Sequence, residues 1–376
     1  MQFFLIVSIG LHVAGKISSC NTAFNHVYFQ LLWNFFTHCS FDAQNVTAIS
    51  ALCRVTKASP GTFQHVIEKA GFKAVISSLT AGLIKVQQAV VTMFLLLLLS
   101  RPQARRVIEE KEMISKLMHL FDNPSTVVRG KAFLMVELLT RGSKDALLSC
   151  CQARLIMYIE KDIRRQTPSN EEAPANYAYV KQCLNMCVAT IVKVTPDILS
   201  SVLSALDAVQ GRKHPSAAQA KHLRISLPLL SIVLHLITSH VFRHQIITDG
   251  FLTDIGSLLS LVNSIDSGST SIGSAAGPNA AEDLTNVVFS IVEAVTQHPP
   301  ILLQFHVVIV DQVLPPLASL ISSTNGNTRV LCFKMFSDVA SLYLDNQNVC
   351  HSASSSDDGR TSASSLNEVC EMGFGI

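Results

Sequence analysis

One stretch near the amino end has the residue types that cradle a phosphate in nucleotide-binding proteins. Gly10, Gly15 and Lys16 follow an apolar run at the spacing of a phosphate-binding loop. Ile17 comes next, where such a loop needs a Ser or Thr hydroxyl to bind magnesium. The remaining chain also lacks the alternation of strands and helices that would support the loop. We therefore expect no nucleotide cofactor.

Two other pairs have spacings found in metal sites. His240 and His244 are four residues apart, so a helix would place both imidazoles on one face, as zinc helices do. A metalloprotease would need Glu at Val241 and a third ligand, and the sequence supplies neither. Cys183 and Cys187 also share a helical face. We interpret the histidines as a polar pair at a helix end and the cysteines as core residues, and expect no metal.

Catalytic motifs are missing from the chain. The GxSxG elbow, the HRD and DFG kinase motifs and the glycine-rich kinase loop are all absent from the sequence. Glu109, Glu110 and Glu112 indicate a solvated acidic face. The sequence therefore predicts no catalytic residues, and a helical enzyme with an unrecognised site remains an alternative.

One basic segment is the candidate partner-binding site. Its positive and imidazole side chains could dock an acidic peptide or a phosphate. The alternative is a solvated loop between repeats. The candidate residues are Arg212, Lys213, His214, Lys221 and Arg224, with His222 in the same stretch.

The helices on which such residues would lie are best defined between Ile108 and Arg141. Apolar residues recur at helical spacing on both sides of a polar break at 122–126, which indicates two helices with one buried face each. Two such helices cannot hide both faces from water alone. We therefore expect them to stack on copies of themselves.

Copies of this helix pair occur on both sides of it. Gly71–Ser100 overlays it with a shift of roughly 42 residues, a period typical of HEAT and armadillo arrays. Val313–Leu344 is a third copy, in which Arg329 corresponds to Arg129. The sequence thus predicts an all-α solenoid of armadillo or HEAT type.

Composition shifts divide the chain into three parts. We predict an atypical helical segment over residues 1–58, a repeat solenoid over 59–345 and a disordered Ser-rich tail over 346–376. Thr195-Pro196 should separate two helices. Polar stretches predict flexible loops near residues 166–178, 210–224 and 266–283.

Composition also limits the partners and the compartment. Charged residues are only 15% of the chain and the net charge is +2, which is too weak for nucleic acid. The longest apolar run, Ala89–Leu99, is shorter than the roughly 20 residues a bilayer needs, so we expect no membrane span. Ten scattered cysteines without a CxxC pair indicate a reducing cytoplasm. The apolar stretch Phe3–Val13 and the Asn45 sequon leave a secreted or membrane-associated protein as an alternative.

Several segments resemble the carboxy-terminal armadillo-repeat region of the Unc-51-like serine/threonine pseudokinase family. They include Asp122–Leu134, Leu147–Asp162 and Gly211–Thr248. The resemblance implies a protein-binding scaffold that normally follows a kinase-like domain with degenerate catalytic motifs. It also implies links to cilia, microtubules and neurites, and a Fused-type kinase as partner. The kinase-like domain has no counterpart here, so we expect a fragment, a splice form or an imperfect gene model.

These observations predict a non-catalytic scaffold that binds other proteins. We expect it in the cytoplasm, with ciliary or cytoskeletal association. Binding should use the inner face of the solenoid together with the basic segment from Arg212 to Arg224.

Overall fold

The computed structural model describes residues 22–38, 42–80, 82–100, 111–165, 174–212, 214–323 and 325–354. The regular structure of these residues is helical, without a strand among them. The predicted all-α class is therefore confirmed. The chain divides into two compact units, Met1–Val194 and Thr195–Ile376.

The first unit is built from consecutive helices with short connections. Short 3-10 turns, Ser78–Thr80 and Leu120–Asp122, follow α4 and α6. The helices are α1 (Thr22–His38), α2 (Asp42–Ala58), α3 (Pro60–Ala70), α4 (Phe72–Ser77), α5 (Ile84–Ser100), α6 (Lys111–His119), α7 (Thr126–Thr140), α8 (Lys144–Gln152), α9 (Leu155–Arg164) and the first part of α10 (Pro174–Asp207).

Three of these helices begin at a constant spacing. α2, α5 and α7 start at Asp42, Ile84 and Thr126, which are 42 residues apart. α5 packs against both α2 and α7, so the repeat period inferred from the sequence is confirmed. α2 belongs to the same series, although we predicted the solenoid to begin at residue 59. Polar residues such as Ser50 interrupt its apolar pattern and hid this relationship.

Aromatic side chains fill the spaces between the stacked helices. The rings of Phe63 and Phe94 meet edge to face with centroids 5.0 Å apart. The rings of Phe121 and Phe133 lie 4.4 Å apart, and all four side chains are buried. α5 is buried on several sides, which is why its sequence shows a continuous apolar run rather than a stripe.

The second unit contains shorter and less regular helices. A 3-10 turn (Leu227–Leu229) and a π-helical turn (Ile309–Val313) interrupt it. After the end of α10, the helices are α11 (Ala217–Ser226), α12 (Leu230–Thr238), α13 (His240–Ile246), α14 (Asp249–Asp266), α15 (Gly273–Ala276), α16 (Ala280–Thr296), α17 (Pro299–Gln304), α18 (His306–Val308), α19 (Leu314–Leu320) and α20 (Gly326–Ser354). α14 packs against α16 and α19, and α19 packs against α20.

The π-helical turn has a cause in the sequence that follows it. Pro315 and Pro316 lack the N–H groups that would bond to the carbonyls of Asp311 and Gln312 in an α-helix. α14 approaches this turn so closely that a Cβ on Gly256 would overlap the carbonyl oxygen of Gln312. Gly256 therefore permits a helix contact that no other residue type would allow.

An arginine recurs near the start of three helices and closes the turn before each. Arg129 of α7, Arg243 of α13 and Arg329 of α20 each donate to the carbonyl oxygen six residues earlier. These bonds satisfy acceptors that the end of a helix leaves without an internal donor. Arg129 and Arg329 are therefore equivalent, as we predicted, and Arg243 is a third member that the sequence did not reveal. The acceptors are Asn123 (2.9 Å), Ile237 (2.8 Å) and Ser323 (2.8 Å).

Two predicted boundaries differ from the structure. α10 continues through Thr195 and contains Pro196, where we predicted two separate helices. The proline removes only one helical hydrogen bond, to the carbonyl of Val192, and packing of the flanking Ile191 and Ile198 offsets that loss. α20 continues to Ser354, beyond the predicted tail boundary at residue 345. The phosphate-loop motif, Phe3–Val13, Glu109, Glu110 and residues 355–376 lie outside the described residues.

Candidate partner-binding clefts

The basic segment predicted as a flexible loop is half turn and half helix. Arg212 and His214 are exposed in the turn before α11, and Lys221 and His222 are exposed on α11 itself. Lys213 lies outside the described residues. The structure therefore spreads the predicted site residues over two elements rather than one loop.

α11 begins where it does because of a capping box. The Ser216 hydroxyl accepts from the N–H of Gln219, and the Gln219 side chain accepts from the N–H of Ser216. Gln219 also donates to the carbonyl of Ala208 at 3.0 Å. The S-x-x-Q pattern was visible in the sequence, and it corrects the predicted loop at 210–224.

Arg224 occupies a different environment from the other members of the basic segment. Its Nε donates to the carbonyl oxygen of Ala275 at 2.7 Å, which ties α11 to α15. The side chain forms part of the wall of a cleft of about 570 Å³. Residues Leu227, Pro228, Leu284 and Val287 give this cleft an apolar lining, and Asp283 adds a carboxylate.

Part of the wall beside Arg224 comes from the stretch that we predicted as a flexible loop near 266–283. Ile272 and Ala275 are buried, and the N–H of Thr270 donates to the carbonyl of Ser264 at 3.0 Å. Gly268 and Gly277 adopt positive φ angles, at which glycine is favoured. Two buried apolar side chains among many Ser and Gly residues are a weak sequence signal, so the composition concealed an ordered wall.

A second cleft of about 480 Å³ lies in the first unit. One wall carries Arg129 of α7 together with Asp162 and Arg165 from the end of α9. The other wall is the face of α10 that carries Tyr177, Lys181 and Asn185, and Val180 and Leu184 complete the lining. The Tyr177 hydroxyl donates to the carbonyl of Arg165 at 3.2 Å, which joins the two walls.

A buried ion pair organises this second cleft. The Arg129 Nε donates to the Asp162 carboxylate at 3.0 Å, and the Arg165 Nη1 donates to the same oxygen at 2.9 Å. The side chains of Arg129 and Asp162 are only 8% and 5% exposed. Because Arg129 and Asp162 are 33 residues apart in the chain, no local sequence pattern pairs them.

The cysteine and histidine pairs do not form a reactive site. Burial raises the pKa of Cys183 and raises that of Cys187 well above its usual value. The thiols are therefore protonated at neutral pH and behave as core residues. His240 and His244 are both exposed on α13. No group of three His, Cys, Asp or Glu side chains could hold a metal within the described part of the chain.

Two stretches are long and apolar enough to cross a membrane by length and composition. They are Pro174–Asp207 and Ala217–Thr238. Each is partly buried within the protein, and core helices of folded proteins meet the same criteria. Their presence does not establish a membrane span.

Comparison with known proteins gives a family match in the second half of the chain and relatives that match most of it. Residues 194–374 match the family model described as serine/threonine-protein kinase ULK4-like, HEAT repeats. The mouse (Mus musculus) serine/threonine-protein kinase ULK4 is 43% identical over 317 residues, which are 84% of this chain and 24% of the mouse protein. The Arabidopsis thaliana serine/threonine-protein kinase RUNKEL is 24% identical over 81% of this chain and 22% of its own length. The chain thus spans about a quarter of the length of these relatives.

Solved structures similar to this chain include designed armadillo repeat proteins. The designed armadillo repeat protein YIII(Dq)4CqI is 12% identical, with a TM-score of 0.37 over 83% of this chain and 99% of the designed protein. A related design, solved in complex with the peptide (KR)4, has a TM-score of 0.36 over 83% of this chain and 99% of its own. The sequence matches show that the chain is similar, through its HEAT repeats, to the ULK4-like serine/threonine-protein kinase family.

Proposed function

We propose that this chain is a non-catalytic scaffold that binds a partner protein in the Arg224 cleft of its second unit. The cleft itself is the observation that carries the proposal. It combines an apolar lining with one cationic and one anionic side chain, as peptide-binding sites do. Repeat solenoids are typical protein-binding scaffolds.

The residues of the cleft define the kind of segment it would hold. Leu227, Leu284 and Val287 can cover one or two apolar side chains. Arg224 keeps Nη1 and Nη2 for a carboxylate while Nε holds the carbonyl of Ala275. Lys221 lies one turn away on the same helix and adds positive charge. An apolar segment that contains one acidic residue fits this arrangement.

The family suggests where to look for the partner. We propose a Fused-type kinase as the binding partner and a cytoplasmic location with ciliary or microtubule association, including a role in neuronal organisation. The proposed partner and location extend the scaffold proposal, and both rest on the resemblance of the repeats to that family. A fluorescent fusion of the chain expressed in ciliated cells, imaged with ciliary and microtubule markers, tests the location. A uniformly diffuse signal would contradict it.

Paired charge variants test the cleft. Arg224→Gln should reduce co-precipitation of a Fused-type kinase and reduce proximity labelling of shared partners by about tenfold, since hydrogen bonds to charged groups contribute about 1.5–3 kcal/mol. Arg212→Gln is the matched control, because Arg212 is exposed in the same basic segment and does not line the cleft.

Equal losses of partner binding in Arg224→Gln and Arg212→Gln would show a general charge effect. That result would contradict binding in the cleft. Val287→Asp provides a second variant that leaves the bond between Arg224 and Ala275 intact. Normal partner capture by Val287→Asp would likewise contradict binding in this cleft.

A further inference from the structure

The charged cleft of the first unit carries more positive charge than its own carboxylate can neutralise. Arg129, Arg165 and Lys181 line it, and Asp162 is its acidic lining residue. Asp162 already accepts from both arginines. Lys181 is exposed on α10. The wall thus has unmatched cationic groups beside a cavity.

The cations are held in place rather than dispersed in solvent. Arg129 is more than nine-tenths buried and is fixed by the carbonyls of Asn123 and Pro124 as well as by Asp162. Arg165 is fixed by Asp162 and is about one-third exposed. A rigid guanidinium loses little conformational entropy when it binds an anion. The site is therefore preorganised for a carboxylate.

The opposite wall sets the length and form of the occupant. Tyr177, Lys181 and Asn185 lie at intervals of four residues on α10, so they form a row about 12 Å long. An extended peptide advances about 3.3 Å per residue, and about four residues would follow this row. The Asn185 amide can both donate to and accept from a peptide backbone. Val180 and Leu184 offer apolar contacts for alternate side chains.

We propose that this cleft binds an extended peptide segment whose acidic side chains meet Arg165 and Lys181. Charge complementarity and the apolar lining distinguish such a peptide from a nucleic acid, which would require a broader basic surface. The chain as a whole carries a net charge of only +2. This site is separate from the Arg224 cleft and does not depend on the function proposed for it.

Fluorescence anisotropy of the full chain with two labelled peptides tests the proposal. A fluorescein-labelled (Glu-Ala)4 peptide should bind, and (Gln-Ala)4 should bind at least tenfold more weakly. Lys181→Gln should weaken binding of (Glu-Ala)4 by about fivefold, as expected for an exposed ion pair. Arg165→Gln should weaken it by about tenfold because Asp162 would then also repel the peptide.

Lys193→Gln is the matched control. Lys193 lies on the same helix and within the first unit, is exposed, and does not line the cleft. It is three turns from Lys181, or about 18 Å along the axis. Binding of (Glu-Ala)4 should be unchanged in this variant. The circular dichroism spectrum of each variant verifies its folding, and the exposed Lys181 variant tests the site even where Arg165→Gln unfolds.

Four results would overturn the proposal. The first is failure of (Glu-Ala)4 to bind the unaltered chain. The second is an equal loss of binding in Lys193→Gln and Lys181→Gln. The third is equal or tighter binding of an oligothymidylate with the same number of charges, which would show non-selective attraction of polyanions. Loss of binding in Arg224→Gln alone would place the peptide in the other cleft and would equally overturn it.

Discussion

Both units of this chain stack helices against one another, but the first unit does so at a more regular spacing than the second. In the first unit, α2, α5 and α7 begin 42 residues apart, and Arg129, which is buried in an ion pair with Asp162, closes the turn before α7. In the second unit, short helices, a π-helical turn and a glycine contact between helices replace that pattern. The equivalent Arg329 is exposed there. A shared repeat signature therefore does not imply a shared energetic role.

This difference separates two sources of stability in a helical repeat. Where the arginine is buried, removing it disrupts a polar network and leaves carbonyls without donors. Where it is exposed, water can replace the lost bond. In the second unit, stability should depend more on the close approach of two backbones than on a charged side chain. The following predictions test this contrast.

The largest effect is expected at Arg129. Arg129→Ala should lower the free energy of unfolding of the first unit by about 3 kcal/mol, because it removes one partner of a buried ion pair and two donors to carbonyls. Arg329→Ala should cost about 1 kcal/mol. Trp33 is the only tryptophan and is buried in the first unit, so its fluorescence during urea unfolding reports Arg129→Ala. Hydrogen exchange of α20 reports Arg329→Ala, and equal costs would contradict the contrast.

Gly256 should be the most sensitive glycine of the second unit. Gly256→Ala should destabilise that unit by about 2–3 kcal/mol, because the new Cβ would overlap the Gln312 carbonyl and the backbone would have to move. Hydrogen exchange of α14 and of the π-helical turn measures the change. Gly250→Ala is the control on the same helix, since its Cβ would meet only the Thr248 hydroxyl at 4.0 Å. A neutral Gly256→Ala would show that the turn is flexible.

Gly130 should give a smaller effect in the first unit. A Cβ there would lie 2.8 Å from the Tyr179 ring and 3.2 Å from the Val180 Cα. The ring can rotate away, so we expect Gly130→Ala to cost about 1–2 kcal/mol, part of which the higher helix propensity of alanine offsets. Urea unfolding followed by Trp33 fluorescence measures it. A loss of stability larger than that of Gly256→Ala would contradict the expectation that the second unit is the more sensitive to a glycine substitution.

The smallest effect is expected at the exposed pair between Asp122 and Lys161. The Lys161 Nζ donates to the Asp122 carboxylate at 2.5 Å, and this hydrogen bond lowers the pKa of Asp122 from its usual value of 3.8. A lowered pKa in the folded state adds stability above pH 3.8 that is lost as the pH falls through the lower value. Since both side chains are about half exposed, the gain should be at most about 0.5 kcal/mol.

Lys161→Gln provides the measurement for this pair. An NMR titration should show the pKa of Asp122 returning toward 3.8 in the variant, while stability at neutral pH falls only slightly. An unchanged pKa would assign the shift to Tyr158 or Arg165, which also face this carboxylate.

The candidate sites were predictable only in part. The basic segment was identified from its composition, but the structure places Arg224 alone of its described members in a cleft wall. Asp283 and Asp162 were not singled out, because each lines a cleft together with an arginine that is distant in the chain. The Ser216–Gln219 capping box was legible in the sequence and would have corrected the predicted loop.

The sequence by itself determined the helical class, the 42-residue period and the equivalence of Arg129 and Arg329. These features are local, since helical periodicity and turn residues act over a few positions. The tertiary structure alone decided that α10 passes through Pro196, that Gly256 meets Gln312 and that Arg129 meets Asp162. Each of these depends on which surfaces meet after folding, and packing can outweigh a local preference of a few kcal/mol.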